Sequence, residues 1–266
     1  TLLENIWSGK AKVVLKPQYV DRIPMVVKGT VGELVERNDE NGKAKAISKS
    51  LLLTEVWDRD ISVLSGGELQ RLAITVACSK KADLLLFDEP SSFLDIEQRL
   101  AVCKTIHDLK GNRAIVVVEH DLSMLDYVSD YVSIIYGRAG AYGIASTIMS
   151  SRVGINSYLN GYLQAENTLF RNEPIVFHER PPPIAMDRPP LFRWSNQEMW
   201  LGDFHLEIDE GQASEGEVIG IIGPNGIGKT TFIKALAEKS APIFYHESRS
   251  RNLAISYKPQ YLSELY

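Results

Sequence analysis

The sequence predicts an α/β fold, and two observations carry that prediction. LLLF (84–87) is a continuous apolar run, as is typical of a parallel strand buried on both faces, and AIVVVEH (114–120) is interpreted as another buried strand. Segments with helical periodicity, at 64–80 and 96–110, alternate with these runs. The chain has 266 residues, of which 44% are hydrophobic and 24% charged, which is enough for more than one core.

The remaining elements follow in chain order. The sequence predicts a strand at 11–15, charged and mostly helical chain at 28–60, a strand at 131–137, a buried strand EVIGII at 217–222, and a helix at 232–239. Three consecutive prolines at 181–183 fit neither a helix nor a central strand, so the stretch around them is predicted to be a hinge. We therefore expect one domain over 1–150, a linker over 151–190 and a second domain over 191–266.

Bulk properties exclude several classes of protein. The formal net charge of −5 argues against binding of polyanions by the chain as a whole. Cys78 and Cys103 stand in apolar helical contexts and are predicted to be buried thiols in a reducing compartment, with a disulfide or metal pair as the alternative. No apolar run approaches the roughly 20 residues that span a bilayer. Without an initiator Met or a signal peptide, the chain begins as though it continued from a longer one.

An internal repeat links the two ends of the chain. VVLKPQYV (13–20) and ISYKPQYL (255–262) share the tetrapeptide KPQY after a strand-like run. We interpret them as two copies of one module, the first without its beginning and the second without its end. Gln18 and Gln260, one in each copy, are predicted to offer an amide oxygen to a metal ion or to water.

GPNGIGKTT (223–231) fits the phosphate-binding pattern G-x-x-x-x-G-K-[ST] between a predicted strand and a helix. Its glycines let backbone N–H groups surround phosphates at a helix N-terminus. Lys229 is predicted to reach the β- and γ-phosphates, Thr230 to bind Mg²⁺, and Thr231 to contact the α-phosphate region. A glycine turn before a helix is the alternative. The predicted ATP-binding positions are Gly223, Asn225, Gly226, Gly228, Lys229, Thr230 and Thr231.

LLLFDEP (84–90) places two carboxylates at the end of a strand, where α/β sheets bind ligands. We expect Asp88 to orient Mg²⁺ through its water shell and Glu89 to polarise an attacking water. A surface turn is the alternative. His120 follows the next strand and is predicted to reach the same phosphate, although a lone histidine is more often structural or solvated.

LSGGELQ (64–70) has two interpretations. Ser65 and Glu68 fit a helix capping box, which needs no nucleotide. Gly66 and Gly67 add bare amides at a helix N-terminus, so Ser65 and Gly67 are also predicted to hold a γ-phosphate presented by another domain.

Three positions outside these motifs are further candidates. Asp95 in SSFLD is predicted to communicate across a domain interface. Trp194 and Trp200 are each predicted either to stack on adenine or to pack in a core, and Trp194 is the better candidate for stacking.

Taken together, LSGGELQ, LLLFDEP, SSFLD and the histidine after VVVE resemble the ATP-binding-cassette (ABC) ATPases, which are P-loop NTPases. KPQYVDRIP, VVVEHDLSMLDYVSD, YGRAGAYG, GYLQAENTLFR and GIGKTTFIKALA resemble more closely the E subfamily, the ribosome-recycling ATPases also called RNase L inhibitor proteins. The resemblance implies two tandem cassettes, each incomplete here, in one monomeric cytoplasmic chain without a membrane partner. It also implies an N-terminal iron–sulfur domain, which this chain lacks.

The resemblance also implies a mechanism. ATP and Mg²⁺ would close the two cassettes like a clamp, and hydrolysis would reopen them to split ribosomal subunits. The implied partners are the small subunit with its rRNA and proteins, and release or initiation factors. The phosphate loop of one cassette, here GPNGIGKTT, would face the signature sequence of the other, here LSGGELQ. Lys229, Thr230 and Gln260 would therefore face Ser65 and Gly67. Glu89, His120 and Gln18 would belong to the other site.

With neither site complete, we expect little turnover from the isolated chain. The alternative functions are the ATPase subunit of an ABC membrane transporter and a non-enzymatic interaction module. Several basic residues are interpreted as solvated charge, with rRNA contact as the alternative: Lys10, Lys12, Lys16, Arg171, Arg180, Arg188 and Arg193.

Overall fold

The computed structural model describes residues 8–9, 11–111, 113–177, 190–237, 244–245 and 255–259. The chain divides into two compact units, Thr1–His178 and Glu179–Tyr266. None of the helices in the described ranges combines the length and the apolar character that a membrane span requires.

A three-stranded parallel sheet forms the centre of the first unit. Its strands are β1 (Val13–Lys16), β2 (Leu84–Asp88) and β3 (Ala114–Val118), with β2 in the middle. The strand predicted at 84–87 is confirmed, and the strand predicted at 114–120 is present but ends at Val118. The prediction that β3 is buried is wrong, because β3 lies at the edge of the described sheet and Val116 and Val118 are about half exposed.

Helices lie between the strands along the chain and after β3. They are α1 (Ile23–Val26), α2 (Val31–Arg37), α3 (Ala44–Ser50), α4 (Gly66–Ser79), α5 (Ile96–Asp108) and α6 (Leu122–Val128), with 3₁₀ turns at Thr54–Val56 and Ile61–Val63. Local chemistry fixes where several of them begin. Thr30 and Glu33 form a capping box at the start of α2, and Asp121 accepts two backbone N–H groups at the start of α6.

Two apolar clusters stabilise the first unit. One packs β2 against α4 and α5 and includes Leu85, Phe87 and Ile106, each at most 1% exposed. The other packs α2 and the 3₁₀ turns against α4. Cys78 and Cys103 are free and buried, as predicted. Burial raises the pKa of Cys78 to about 12 and that of Cys103 to about 11.

The rest of the first unit consists of short hairpins and one helix. The strand predicted at 131–137 is interrupted and forms β4 (Tyr131–Val132) and β5 (Ile135–Arg138). After it come β6 (Tyr142–Ala145), β7 (Met149–Ser150), α7 (Ser151–Asn160), β8 (Tyr162–Leu163) and β9 (Thr168–Leu169). Gly161 ends α7 with φ 75°, a conformation that favours glycine. The triple proline at 181–183 lies outside the described residues.

The described part of the second unit, 190–237, 244–245 and 255–259, contains antiparallel strands and one helix. They are β10 (Pro190–Trp194), β11 (Gln197–Leu201), β12 (Phe204–Ile208), β13 (Gly211–Ser214), α8 (Lys229–Ala237) and β14 (Phe244–Tyr245). The strand predicted at 217–222 is absent, and Val218 and Ile222 are 92% and 87% exposed. An apolar run becomes a strand only when neighbouring strands satisfy its backbone, and no described strand pairs with this one.

Candidate functional site

The carboxyl edge of the three-stranded sheet carries the residues predicted for hydrolysis. Asp88 is the last residue of β2, and Glu89 follows it with a backbone φ of 46°. This left-handed conformation is uncommon for a residue with a Cβ. The Glu89 amide donates a hydrogen bond to the carbonyl oxygen of Val118 at 2.9 Å. The chain therefore turns sharply at the residue predicted to polarise water.

Three side chains converge on the Glu89 carboxylate. Gln18 Nε2 donates to Oε1 at 2.8 Å, His120 Nε2 lies 3.1 Å from the same oxygen, and Ser92 Oγ donates to Oε2 at 3.2 Å. The Gln18 hydrogen bond lowers the pKa of Glu89; partial desolvation opposes it, and the Ser92 and His120 contacts lower the pKa further. Glu89, His120 and Gln18, predicted from three separate motifs, thus meet at one ionised carboxylate.

Two side chains that the motif analysis did not assign hold the backbone of the same turn. Lys16 Nζ donates to the carbonyl oxygens of Asp88 at 2.7 Å and Glu89 at 3.2 Å. Gln70 Nε2 donates to the Glu89 carbonyl at 2.6 Å. Lys16 is 1% exposed, so its interpretation as a solvated charge is wrong. One signal was available, because lysine follows a strand-like run in both KPQY copies.

Glu119 is a further residue that the motif analysis missed. Its carboxylate accepts hydrogen bonds from the backbone N–H groups of Ser91 at 2.8 Å, His120 at 3.1 Å and Asp121 at 3.4 Å. The turn after β2 is thereby tied to the turn after β3. The signal was a carboxylate directly after the apolar run VVV, just as Asp88 comes directly after LLLF in the sequence.

The segment LSGGELQ (64–70) forms the predicted capping box. Ser65 is the N-cap of α4, its Oγ accepts the Glu68 N–H at 3.4 Å, and the Glu68 carboxylate accepts the Ser65 N–H at 2.7 Å. A Cβ at Gly67 would lie 3.1 Å from the Phe93 carbonyl oxygen, and one at Gly66 would lie 3.4 Å from the Phe93 ring. Close packing against the Phe93 backbone therefore gives a structural reason for glycine at position 67, whereas the contact of a Cβ at position 66 would be an ordinary one. The contact of both glycines with a phosphate stays a prediction.

Asp95 has a local role in the structure. It is the N-cap of α5, and its carboxylate accepts the Gln98 N–H at 2.9 Å. Capping places the carboxylate at the positive end of the helix, where it is stabilised. Communication across a domain interface stays a prediction for this residue.

In the second unit, the glycine loop has the backbone that its motif requires. Gly226 and Gly228 have φ values of 79° and 94°, and α8 begins at Lys229. Lys229 Nζ donates to the carbonyl oxygens of Gly223, at 2.7 Å, and of Pro224. The ammonium therefore lies inside the turn, while Thr230 and Thr231 stand in the first turn of α8. These positions match the predicted phosphate cradle, and phosphate binding itself stays a prediction.

The aromatic candidate for adenine binding is part of a cluster. The Trp194 ring lies 5.8 Å from that of Phe192 and 5.9 Å from that of Phe232, and its Nε1 donates to the Asp209 carbonyl at 2.9 Å. These contacts are typical of the packing alternative, although the ring is only half-buried. Stacking on adenine stays a prediction. Gln260, the amide of the second KPQY copy, lies outside the described residues.

Comparison with known proteins identifies the family. The ABC transporter family model matches residues 5–92 and 206–254. The chain belongs to the ABC family. It is 48% identical over 263 residues to an uncharacterised ABC transporter ATP-binding protein from Methanocaldococcus jannaschii, covering 99% of this chain and 43% of that protein. It is 42% identical over 258 residues to the translation initiation factor RLI1 of Saccharomyces cerevisiae, covering 94% of this chain and 42% of that factor.

Solved structures agree with this assignment. A structure of ribosome-bound archaeal Pelota and ABCE1 contains a chain 46% identical to this one, with a TM-score of 0.88 over 97% of this chain and 44% of that chain. RLI1 and ABCE1 confirm the predicted E subfamily, and the predicted P-loop NTPase fold is confirmed with it. This ABC chain spans less than half the length of the curated relatives it matches.

Proposed function

We propose that this E-subfamily chain supplies nucleotide-binding elements of an ATPase that drives ribosome recycling and acts in translation initiation. The observation that carries the proposal is the convergence of Gln18, His120 and Ser92 on the ionised Glu89 carboxylate, next to Asp88. A carboxylate held in this way, beside a second one at the end of a buried strand, is the arrangement that positions water for phosphoryl transfer.

The residues present fit Mg²⁺ as the metal that accompanies ATP. No three His, Cys, Asp or Glu side chains of the described residues form a metal-binding group. Mg²⁺ does not need such a group, because it keeps several waters and binds through one or two carboxylates together with substrate phosphates. Asp88 and Gln18 would hold one ion at the sheet edge, and the Thr230 hydroxyl would hold another at the glycine loop. Bound there, each ion would neutralise charge on the phosphates.

Glu89 and His120 do the chemical work in this proposal. The lowered pKa of Glu89 keeps it ionised at neutral pH, so one carboxylate oxygen can accept a hydrogen bond from water and orient it toward the γ-phosphate. His120 is 83% exposed, which leaves its ring accessible to a phosphate on the solvent side. At the other nucleotide site, Lys229 and the backbone amides of the glycine loop would bind the phosphates of ATP.

The ribosomal part of the proposal draws on the relatives. RLI1 is named a translation initiation factor, and archaeal ABCE1 is ribosome-bound in its structure. We infer that the complete gene product binds the small ribosomal subunit, its rRNA and proteins, and release or initiation factors, and that it is cytoplasmic. An N-terminal iron–sulfur domain stays a prediction about that gene product.

Sedimentation with ribosomal subunits tests this proposal. The complete gene product would be mixed with purified small subunits and centrifuged through sucrose gradients with a non-hydrolysable ATP analogue or with ADP. We expect co-sedimentation with the analogue and its loss in Lys229→Met. Lys234→Met, on the same helix, is the matched control and should behave as wild type. Failure to co-sediment in either nucleotide state, by a protein that binds ATP, would exclude the ribosomal function.

A further inference from the structure

Lys16 is an unusual residue for the place it occupies. It is the last residue of β1, paired in register with Phe87 of β2, and only 1% of it is exposed. Burying an ammonium group costs free energy unless it is well hydrogen-bonded. Its two acceptors are not carboxylates but the successive carbonyl oxygens of Asp88 and Glu89, at 2.7 and 3.2 Å.

Those two carbonyls belong to the turn that aims the Glu89 side chain. Glu89 has its φ at 46°, and Gln70 donates to the same Glu89 carbonyl at 2.6 Å. A non-glycine residue persists in that conformation only where its surroundings over-determine it. Lys16 from β1 and Gln70 from α4 together fix this peptide from two different elements.

Negative charge surrounds the ammonium on the sheet side. Asp88 and Glu89 at the end of β2, and Glu119 after β3, all favour the charged form of Lys16. Burial acts more strongly in the opposite direction and lowers the pKa of Lys16 from its usual range to about 8. A buried charge of this kind is weak evidence for stability, because a well-packed apolar side chain often serves stability equally well.

We propose that Lys16 is a positioning residue for hydrolysis: its ammonium clamps the Asp88 and Glu89 carbonyls and so keeps the Glu89 carboxylate where it can orient water. This inference rests on the proposed function. It assigns a role to the lysine of KPQY, whereas the motif analysis assigned one only to the glutamine.

Kinetics of Lys16→Met in the complete gene product test the proposal. Methionine has a similar length and removes the charge, so the melting temperature and the ATP KM should stay close to wild type. We expect kcat to fall about 10- to 100-fold, the size of effect that a small misplacement of a catalytic group produces. Lys12→Met, an exposed lysine just before the same strand, is the matched control and should keep the wild-type kcat.

The split between kcat and KM separates positioning from a structural role. A merely structural loss would lower the melting temperature or raise the KM for ATP, whereas a loss of positioning lowers kcat while KM and the melting temperature stay close to wild type. A kcat for Lys16→Met within twofold of wild type would overturn the proposal. If Lys16→Met does not fold, Lys16→Leu is measured against the same criterion, and failure of both variants to fold would show a structural role and overturn the proposal as well.

The same assay distinguishes this proposal from the one on which it rests. Normal hydrolysis by Glu89→Gln would contradict the proposed function itself. Loss of hydrolysis in Glu89→Gln together with a normal Lys16→Met would contradict only the role of Lys16.

Discussion

Replacement of Glu89 by glutamine is the sharpest test of the candidate site. The structure indicates that the substitution leaves the fold intact, because an amide can keep most of the present contacts. Its oxygen can still accept the hydrogen bond from Gln18 Nε2, now 2.8 Å from the carboxylate, and its nitrogen can still meet the Ser92 hydroxyl, now at 3.2 Å. Glu89 is partly exposed to solvent, and glutamine has the same size, so the substitution does not change the burial of this position.

What the variant loses is the negative charge that orients and polarises water. General-base assistance by a positioned side chain contributes about 10²- to 10⁴-fold to a rate, so kcat should fall by that order while the KM for ATP changes little. The wild-type activity should also decline as the pH falls through the lowered pKa of Glu89, because protonation removes the same charge. The glutamine variant has no carboxylate at position 89, so its activity should not show this decline.

The assay is steady-state phosphate release by the complete gene product, with ATP affinity and melting temperature measured on the same samples. Glu36→Gln is the matched control: it makes the same chemical change at an exposed residue whose salt bridge with Lys45 contributes little. If Glu89→Gln hydrolyses ATP at more than a tenth of the wild-type rate with normal affinity, the assignment of Glu89 as the water-orienting group is wrong.

Three further predictions concern the first unit. Phe87→Ala should lower the free energy of unfolding by about 3–5 kcal/mol in denaturant titrations, because it empties a fully buried core position; a loss below 1 kcal/mol would contradict the described packing. Ser65→Ala should cost about 1 kcal/mol through loss of the helix cap, and Ser65→Thr should restore it; equal melting curves for all three proteins would refute the capping role. Cys78, with its pKa raised to about 12, should react with maleimide at pH 8 only after unfolding; rapid labelling of the native protein at this residue, mapped by mass spectrometry, would show that it is accessible.

The sequence by itself determined the features that depend on local chemistry. The capping box of Ser65 and Glu68 forms between residues three apart, and the glycine loop takes its backbone from the positive φ values that Gly226 and Gly228 tolerate. Apolar runs predicted β2 and β3 as strands, although the burial expected of β3 was not found. The grouping of Glu89 with His120 also followed, since adjacent parallel strands end at one edge of a sheet.

Only the tertiary structure decided what depends on contacts between distant parts of the chain. The burial of Lys16 and its bonds to carbonyls 72 and 73 residues away depend on such contacts, and the same holds for the bonds of Gln70 and Glu119. The apolar run at 217–222 has the composition of a buried strand and yet forms none among the described residues. A local pattern states what a segment tolerates, whereas pairing and burial depend on which neighbours the fold brings to it.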